Sequence, residues 1–434
     1  MRFGMISLGC CKNRVDSETA LSLMAEKGYE ITSSPQEADI LMVNTCGFIE
    51  AAKQEAIDTI LEMAEYKKKG RCRLLVVSGC LAQRYPEALL EDMPEIDLLL
   101  GVNQYHSLPD LVAKALQGSR PSCTEDPHTF FESHRILTTP GYTAYIRIGE
   151  GCSNFCTFCA IPLIRGRYRS RPEADILREA EELAGRGVRE MTLIAQDTTR
   201  WGTDWQAHSA LPDLMRRCAD IPGVEWLRVL YCYPDETSEA LLDLMAEHPR
   251  ICPYLDLPIQ HISDPLLKRM NRRGDSSDIR RCVRLARERG ITLRTSIIVG
   301  FPGETEEQFR ELLDFLEEAR FDRLGAFAFS PEEGTPAASM PCPVDPDVRQ
   351  ERLDRLLKLQ AKISLQRNQE RLGTEEKVLV TGMRRHLYVG RSMREAPETD
   401  GEILFSSPSP LTPGTFVRLR LTQAEPYDLR GELL

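Results

Sequence analysis

Gly151-Cys-Ser-Asn-Phe-Cys-Thr-Phe-Cys159 sets Cys152, Cys156 and Cys159 at the spacing CxxxCxxC, directly after the strand-like run Tyr145-Ile-Arg-Ile148. Three thiolates in one short loop suit an iron-sulfur cluster. Such clusters are normally held by four cysteines, so a loop that offers three leaves one iron without a protein ligand. An open coordination position separates catalytic from structural metal sites, and its natural occupant is a small chelating substrate or cofactor. Two plainer readings compete. Structural zinc prefers paired CxxC knuckles with a fourth Cys or His close by, yet the next histidine is His208. A disulfide needs an oxidising compartment.

With 434 residues the chain is long for one domain and suits two or three. Hydrophobic residues at 42% and charged residues at 28% describe a globular chain able to bury full cores. No apolar run approaches the length that spans a bilayer. Met1 to Ser7 reads as a short strand followed by Lys12 and Arg14, not as a signal peptide. The expectation is therefore a cytoplasmic protein with no membrane partner, whose 14 cysteines serve metal or redox chemistry. A net charge of -11 disfavours a surface built mainly to hold phosphates and is compatible with a basic partner.

Upstream of the loop, Arg2 to Leu8, Asp39 to Asn44 and Arg73 to Ser78 read as buried strands, each followed by a helical stretch such as Ser17 to Glu26 or Ala51 to Tyr66. This rhythm predicts a parallel sheet with flanking helices. A cysteine stands just beyond each strand: Cys10, Cys46 and Cys80. Ligands gather at the carboxyl edge of open parallel sheets, so three sulfurs far apart in sequence are expected to converge there as a second cluster-binding set. The competing reading makes each a small buried residue capping its strand. Cys11, beside Cys10, is an alternative ligand, whereas Cys72 opens a strand and reads as packing. A strand at Asp97 to Leu100 and a helix near Leu108 to Leu116 complete this domain, residues 1–118, and 119–141 read as a linker.

From Tyr142, strand-like runs recur at Ala144 to Ile148, Met191 to Ala195, Leu227 to Leu230, Tyr254 to Leu257, Thr295 to Val299 and Ala326 to Phe329, with helical patterns between. Six βα units predict a partial TIM-like barrel whose chemistry lies at the strands' carboxyl ends. Gln196 and Asp197, Tyr231 to Pro234, Gln260 and His261, and Ser330 with Glu332 occupy those ends. After Ser296-Ile-Ile-Val299 comes Gly300-Phe-Pro-Gly-Glu304-Thr, where glycine lets backbone approach a ligand or simply forms a tight turn. Thr305 to Gln308 is a capping box. His261 reads as structural. The alternating Arg165, Arg167, Arg169 and Arg171 suit either a carboxylate-binding row or a solvated edge. Asp345 to Glu370 is an amphipathic helix ending this domain, residues 142–370. Residues 371–434 hold short strands at Lys377 to Gly382, Tyr388 to Arg391, Gly401 to Phe405 and Phe416 to Leu421, which predict a small β-barrel of the oligonucleotide-binding type.

The CxxxCxxC loop after a first barrel strand resembles the radical S-adenosylmethionine (SAM) superfamily, and the tail resembles the TRAM domain that ends methylthiotransferases. The three-domain order resembles the methylthiotransferases over nearly the whole chain. Ser7-Leu-Gly-Cys, Asn44-Thr-Cys-Gly-Phe, Gln196-Asp-Thr-Thr, Leu257-Pro-Ile-Gln-His-Ile-Ser and Phe329-Ser-Pro-Glu-Glu-Gly-Thr resemble the RimO branch in particular. The pattern departs at Cys11, where proline is expected, and at Arg14. The resemblance implies two 4Fe-4S clusters, a SAM-binding one at Cys152, Cys156 and Cys159 and an auxiliary one at Cys10, Cys46 and Cys80. It implies SAM as cofactor, bound with help from Gln196, Asp197, Gln260, Gly300 and Glu304. One SAM yields a radical that abstracts hydrogen, the auxiliary cluster presents sulfur, and a second SAM supplies methyl. The implied substrate is an aspartate of the basic small-subunit ribosomal protein S-twelve, alone or in its ribosomal subunit, with a low-potential electron donor as a further partner.

Three other functions share part of this pattern. A transfer-RNA methylthiotransferase shares the chemistry, but its second and fourth barrel strands would end in Gly-Gln-Asn-Val-Asn and Gln-Ser-Gly-Ser, whereas this chain has Ala195-Gln-Asp-Thr-Thr and Gln260-His-Ile-Ser. An electron carrier, or an RNA-binding protein with structural clusters, would not cleave SAM. From Gly373 onward eight basic side chains face nine acidic ones, a poor balance for gripping a phosphate backbone. Nucleic acid is thus expected at most as a contact, not as the modified substrate.

Overall fold

Ile40–Thr45 and Leu74–Gly79 are buried at every position, as strands covered on both faces of a parallel sheet must be. The computed structural model describes residues 1–125 and 134–434; residues 126–133, inside the expected linker, lie outside the described residues. The chain forms two compact units. The first comprises Met1–Pro140, Gly149–Asp175 and Ser330–Ala338, and the second Gly141–Ile148, Ile176–Phe329 and Ser339–Leu434.

In the first unit six parallel strands run in the order Glu30–Thr32, Arg2–Ser7, Ile40–Thr45, Leu74–Gly79, Leu98–Leu100, Ser122–Cys123. Two of them were not expected. Glu30–Thr32 is a three-residue edge strand, and Ser122–Cys123 arises from the stretch read as linker, pairing with Leu99 and Leu100. Helices Cys11–Glu26, Glu50–Ala64 and Leu108–Leu116 follow strands and cover the sheet. Ala56, Ile60 and Met63 pack with Leu41, Val43 and Val77 on one face, while Phe3, Met24, Met42, Val76 and Val112 fill the other. The strand order reverses between Arg2–Ser7 and Ile40–Thr45, and ligands bind at such a switch point in open α/β sheets.

The second unit holds the six strands of an open partial barrel, all parallel. Thr143–Arg147, Glu190–Ile194 and Trp226–Val229 form one sheet; Tyr254–Asp256, Thr292–Val299 and Arg323–Ala328 form the other. The bridge Leu227–Ile251 and the bond from Cys232 N to Asp256 O link them. The expected capping box is present: Thr305 Oγ1 accepts from Gln308 N and Gln308 Oε1 from Thr305 N, opening helix Glu306–Ala319. Helix Pro346–Gln369 leads into a closed barrel of Glu375–Arg384, Leu387–Arg391, Ile403–Ser406, Leu429–Leu433 and Phe416–Ala424 in that order around the ring. Leu429–Leu433 was missed because Leu-Arg-Gly-Glu-Leu carries too few β-formers to stand out.

Charge pairs, not apolar contacts alone, join these parts of the second unit. Glu190 accepts from both Arg391 guanidinium nitrogens and from Thr143, with Arg228 3.7 Å away. Burial raises the Glu190 carboxyl pKa, but Arg391 and Arg228 outweigh it and hold it below the usual range. Glu395 joins Arg371 and Arg323 in the same way. Near the mouth of the barrel His261 is fully buried: its Nδ1 accepts from Ser263 N, and its Nε2 lies 3.7 Å from Glu304, which pairs with Arg352. Burial, helped by Arg352, lowers its pKa to about 3. The expected structural histidine is thus a neutral one.

Two outcomes follow for unfolding monitored by tryptophan fluorescence, since Trp201, Trp205 and Trp226 all belong to the second unit. Glu190→Gln leaves two buried guanidinium groups without their carboxylate and should cost about 3–5 kcal/mol; an unchanged denaturation midpoint contradicts the pairing. His261 gives a pH signature. Its folded pKa lies below the unfolded value, so its contribution is complete above about pH 6.5 and is lost as pH falls toward 3. Between pH 6.5 and 5 the native chain should lose about 2 kcal/mol that His261→Gln does not lose. Parallel pH slopes for the two proteins would show that His261 titrates freely.

Candidate metal centre

Three neighbouring strands of the first unit, Arg2–Ser7, Ile40–Thr45 and Leu74–Gly79, deliver Cys10, Cys46 and Cys80 to one edge of the sheet. Each turn is shaped for close approach. Gly9 has φ +87°, and a Cβ there would stand 2.9 Å from Cys46 Cβ and 3.2 Å from its Sγ. Gly79 has φ +94°, and a Cβ would collide with the Asn44 side chain and Thr45 backbone. Only glycine meets both demands. Cys10 then caps helix Cys11–Glu26 and Cys80 opens helix Cys80–Arg84.

Asn13, fully buried, ties the three turns together. Its Nδ2 donates to Leu8 O at 3.1 Å and Thr45 O at 2.9 Å, and its Oδ1 lies 3.5 Å from Cys80 Sγ. Asn44 Nδ2 donates back to Asn13 O and to Ser17 Oγ. Burial raises the Cys80 thiol to about 12; Arg165 works against this, while Cys10 and Cys46 add to it. Burial likewise raises Cys46, with a further rise from Cys10. Cys10 thus disfavours the thiolate form of Cys46, and both disfavour that of Cys80. Cys11 lies on the helix next to Cys10. Cys72 is buried against Leu74 O, as packing requires.

The CxxxCxxC loop belongs to the same unit. Cys152 N donates to Gly166 O and Cys159 N to Cys156 O. Gly151, at φ +73°, leaves no room for a side chain against Arg167 O. Cys152 and Cys156 are buried and Cys159 is half-buried. Among the described residues no three Cys, His, Asp or Glu close on a single ion. Thiolates that ligate different irons of one cluster stand farther apart than ligands of one ion, and six thiols in two sets of three fit iron-sulfur clusters better than zinc.

Arg165 is neither at a solvated edge nor free to hold a ligand carboxylate. It is 1% exposed and paired with Asp16 at 2.9 Å and Glu150 at 3.0 Å. Of its companions, Arg167 stacks over Phe155 and Arg171 donates to Asp175 O. Glu332, expected at a barrel strand end, pairs in the first unit with Arg84 and Lys53. Asn13, Asp16 and Glu150 were missed. Asn13 and Asp16 were legible only as polar residues one turn apart on a helix that covers a sheet.

The remaining expected residues lie in the second unit. Asp197 is buried, accepts from Thr199 Oγ1 and lies 3.5 Å from Arg200, and Gln196 beside it is half-buried. Gln260 adopts φ +69°, pinned through its N to Ser296 O and through its O to Ile298 N. Tyr231, at φ +66°, donates its N to Asp256 and accepts at its O from Thr198. Two non-glycine residues held in the left-handed region at strand ends mark a strained rim, where ligand sites concentrate. The Gly300 turn is closed on itself: a Cβ there would collide with Arg349, and Glu304 accepts from Gly300 N and pairs with Arg352. Its glycine leaves room for the Arg349 side chain, and its carboxylate holds the turn.

Residues 146–316 match the Radical SAM superfamily, residues 2–101 the uncharacterized protein family UPF0004, and residues 372–434 the TRAM domain. The chain is 49% identical over 438 residues to ribosomal protein uS12 methylthiotransferase RimO of Desulforamulus reducens, covering 99% of each chain. It is 49% identical to the protein of the same name from Geobacter sulfurreducens, covering 100% of this chain and 98% of that one. Among solved structures, the radical SAM methyltransferase TsrM of Kitasatospora setae, with cobalamin and a [4Fe-4S] cluster bound, superposes with TM-score 0.57 at 17% identity, covering 78% of this chain and 76% of that one. That likeness is one of fold. With near-identical length and close to half of all residues shared, the chain belongs to the RimO family of radical SAM methylthiotransferases.

Proposed function

We propose that Cys152, Cys156 and Cys159 hold a SAM-binding [4Fe-4S] cluster and that Cys10, Cys46 and Cys80 hold an auxiliary one, in an enzyme that methylthiolates an aspartate of ribosomal protein uS12. The observation that carries this reading is the convergence of Cys10, Cys46 and Cys80 in the same unit as the CxxxCxxC loop. The bound groups supply the chemistry: radical hydrogen abstraction, sulfur and methyl. The chain's own residues position and shield. Asn13 and Asn44 fix the turns that carry one set of thiols, and the tight Gly151 turn fixes the other. We assign Gln196, Asp197 and Gln260 to SAM binding, and the Gly300–Glu304 turn to framing that site.

The domain assignment is 1–118 for the auxiliary-cluster domain, 142–370 for the radical SAM core and 371–434 for the TRAM barrel. The family matches at 2–101, 146–316 and 372–434 support it. A near-neutral tail suits a basic ribosomal protein better than a phosphate backbone, with association that weakens as salt rises. Among the described residues no helix is long and apolar enough to cross a membrane, and we assign the enzyme to the cytoplasm, where uS12 and a low-potential reductant meet it.

After anaerobic reconstitution, changing Cys152, Cys156 and Cys159 together to Ala should halve the iron and abolish formation of 5'-deoxyadenosine from SAM. The Cys10, Cys46 and Cys80 triple variant should also halve the iron but keep SAM cleavage while sulfur insertion fails. Full iron in the second variant would disprove the auxiliary site. Cys11→Pro should retain all its iron. Mass spectrometry of uS12 and transfer RNA after incubation with enzyme, SAM, sulfide and reductant decides the substrate. Modified transfer RNA beside unmodified uS12 would overturn the assignment.

A further inference from the structure

Arg165 follows the CxxxCxxC loop by six residues, yet its guanidinium is buried among the turns that carry the other three cysteines. Nη2 donates to Asn13 Oδ1 at 2.8 Å and to Asp16 Oδ2 at 2.9 Å and lies 3.8 Å from Cys80 Sγ, while Nη1 donates to Glu150 Oε2 at 3.0 Å. Glu150 is itself fixed, since its Oε1 accepts from Gly151 N. Asn13 is the side chain that joins the turns before Cys10 and Cys46, so Arg165 grips the organiser of the site and lies beside one of its sulfurs. Burial disfavours the charge, but Glu150 and Asp16 outweigh it and keep the guanidinium cationic.

Stability alone gives little reason for this cation, since buried ion pairs are often replaceable by apolar groups without loss. Its place beside a sulfur gives another. Cluster potentials depend on net charge, hydrogen bonds to sulfur and solvent exposure, and groups behind the ligands tune a metal site as well. We propose that Arg165 is a positioning residue for the auxiliary site: its guanidinium, held 3.8 Å from Cys80 Sγ, is a fixed positive charge that raises the reduction potential of the cluster held there. This rests on the auxiliary-cluster reading above. Because Arg165 lies in the chain segment of the CxxxCxxC loop, the same contact ties that loop to the auxiliary turns.

The test uses full-length protein with Cys152, Cys156 and Cys159 changed to Ala, which leaves only the auxiliary cluster. Its reduction by dithionite takes up one electron per chain and is followed by electron paramagnetic resonance across a series of set potentials. Arg165→Gln should lower the midpoint by at least about 59 mV, a tenfold change in the ratio of reduced to oxidised cluster for one electron. Arg165→Lys should stay closer to the parent, and Asp16→Asn, which removes a neighbouring negative charge and leaves Arg165 paired with Glu150, should raise the midpoint. Parent values in both Arg165→Gln and Asp16→Asn would overturn the proposal and leave the cluster assignment standing. Should Arg165→Gln lose its iron, Asp16→Asn decides by the sign of its shift. A parent protein without iron would overturn the auxiliary-cluster reading and this proposal with it.

Discussion

Three thiols that arrive on three separate turns can serve one bound group only if the chain itself holds those turns together. The surrounding chain has to fix the sulfurs. In the first unit that task falls to Asn13, one buried amide that donates to the carbonyls of Leu8 and Thr45 and presents its oxygen to Cys80 and Arg165. The adjacency of three parallel strands makes such a small connector sufficient. Residues far apart in sequence arrive within one side chain's reach, and Gly9 and Gly79 remove the Cβ atoms that would hold the turns apart. Helix Cys11–Glu26 carries Asn13, Asp16 and Ser17 buried on the sheet, and the desolvation they cost is offset by the hydrogen bonds each makes.

The two units use buried charge to different ends. In the second, Glu190 with Arg391 and Arg228, and Glu395 with Arg371 and Arg323, are closed sets that connect barrel strands to the carboxyl-terminal barrel. They sit beside an apolar cluster, Trp226, Tyr254, Leu379 and Ala396, that joins the same parts. In the first, Arg165 pairs with two carboxylates and lies 3.8 Å from the sulfur of Cys80. A network that is complete without a ligand reads as architecture. One that gathers unlike groups around a thiol reads as preparation for a ligand.

Much of this was legible in the chain. The runs Ile-Leu-Met-Val-Asn-Thr and Leu-Leu-Val-Val-Ser-Gly are apolar enough to be central strands, and the cysteines after them inherit their position from topology alone. The six barrel strands announced themselves in the same way. The edge strands Glu30–Thr32 and Ser122–Cys123 did not, because two or three residues hold no period to detect and their pairing is decided by the neighbouring strand. Arg165 was misread for a related reason. Its alternation with Arg167, Arg169 and Arg171 looks like a solvated edge, while its partner Asp16 stands 149 residues away. A glycine in sequence does not say which side chain comes close, and at Gly300 it is Arg349.

The central claim is that six cysteines make two clusters of which one alone is built to bind SAM. Iron and sulfide analysis of the reconstituted native chain, joined to electron paramagnetic resonance of the reduced protein with and without SAM, tests it most directly. The account predicts about eight irons and eight sulfides per chain, from two four-iron clusters, and two overlapping signals of which SAM alters one. About four irons per chain, or a single signal that SAM alters entirely, would contradict it.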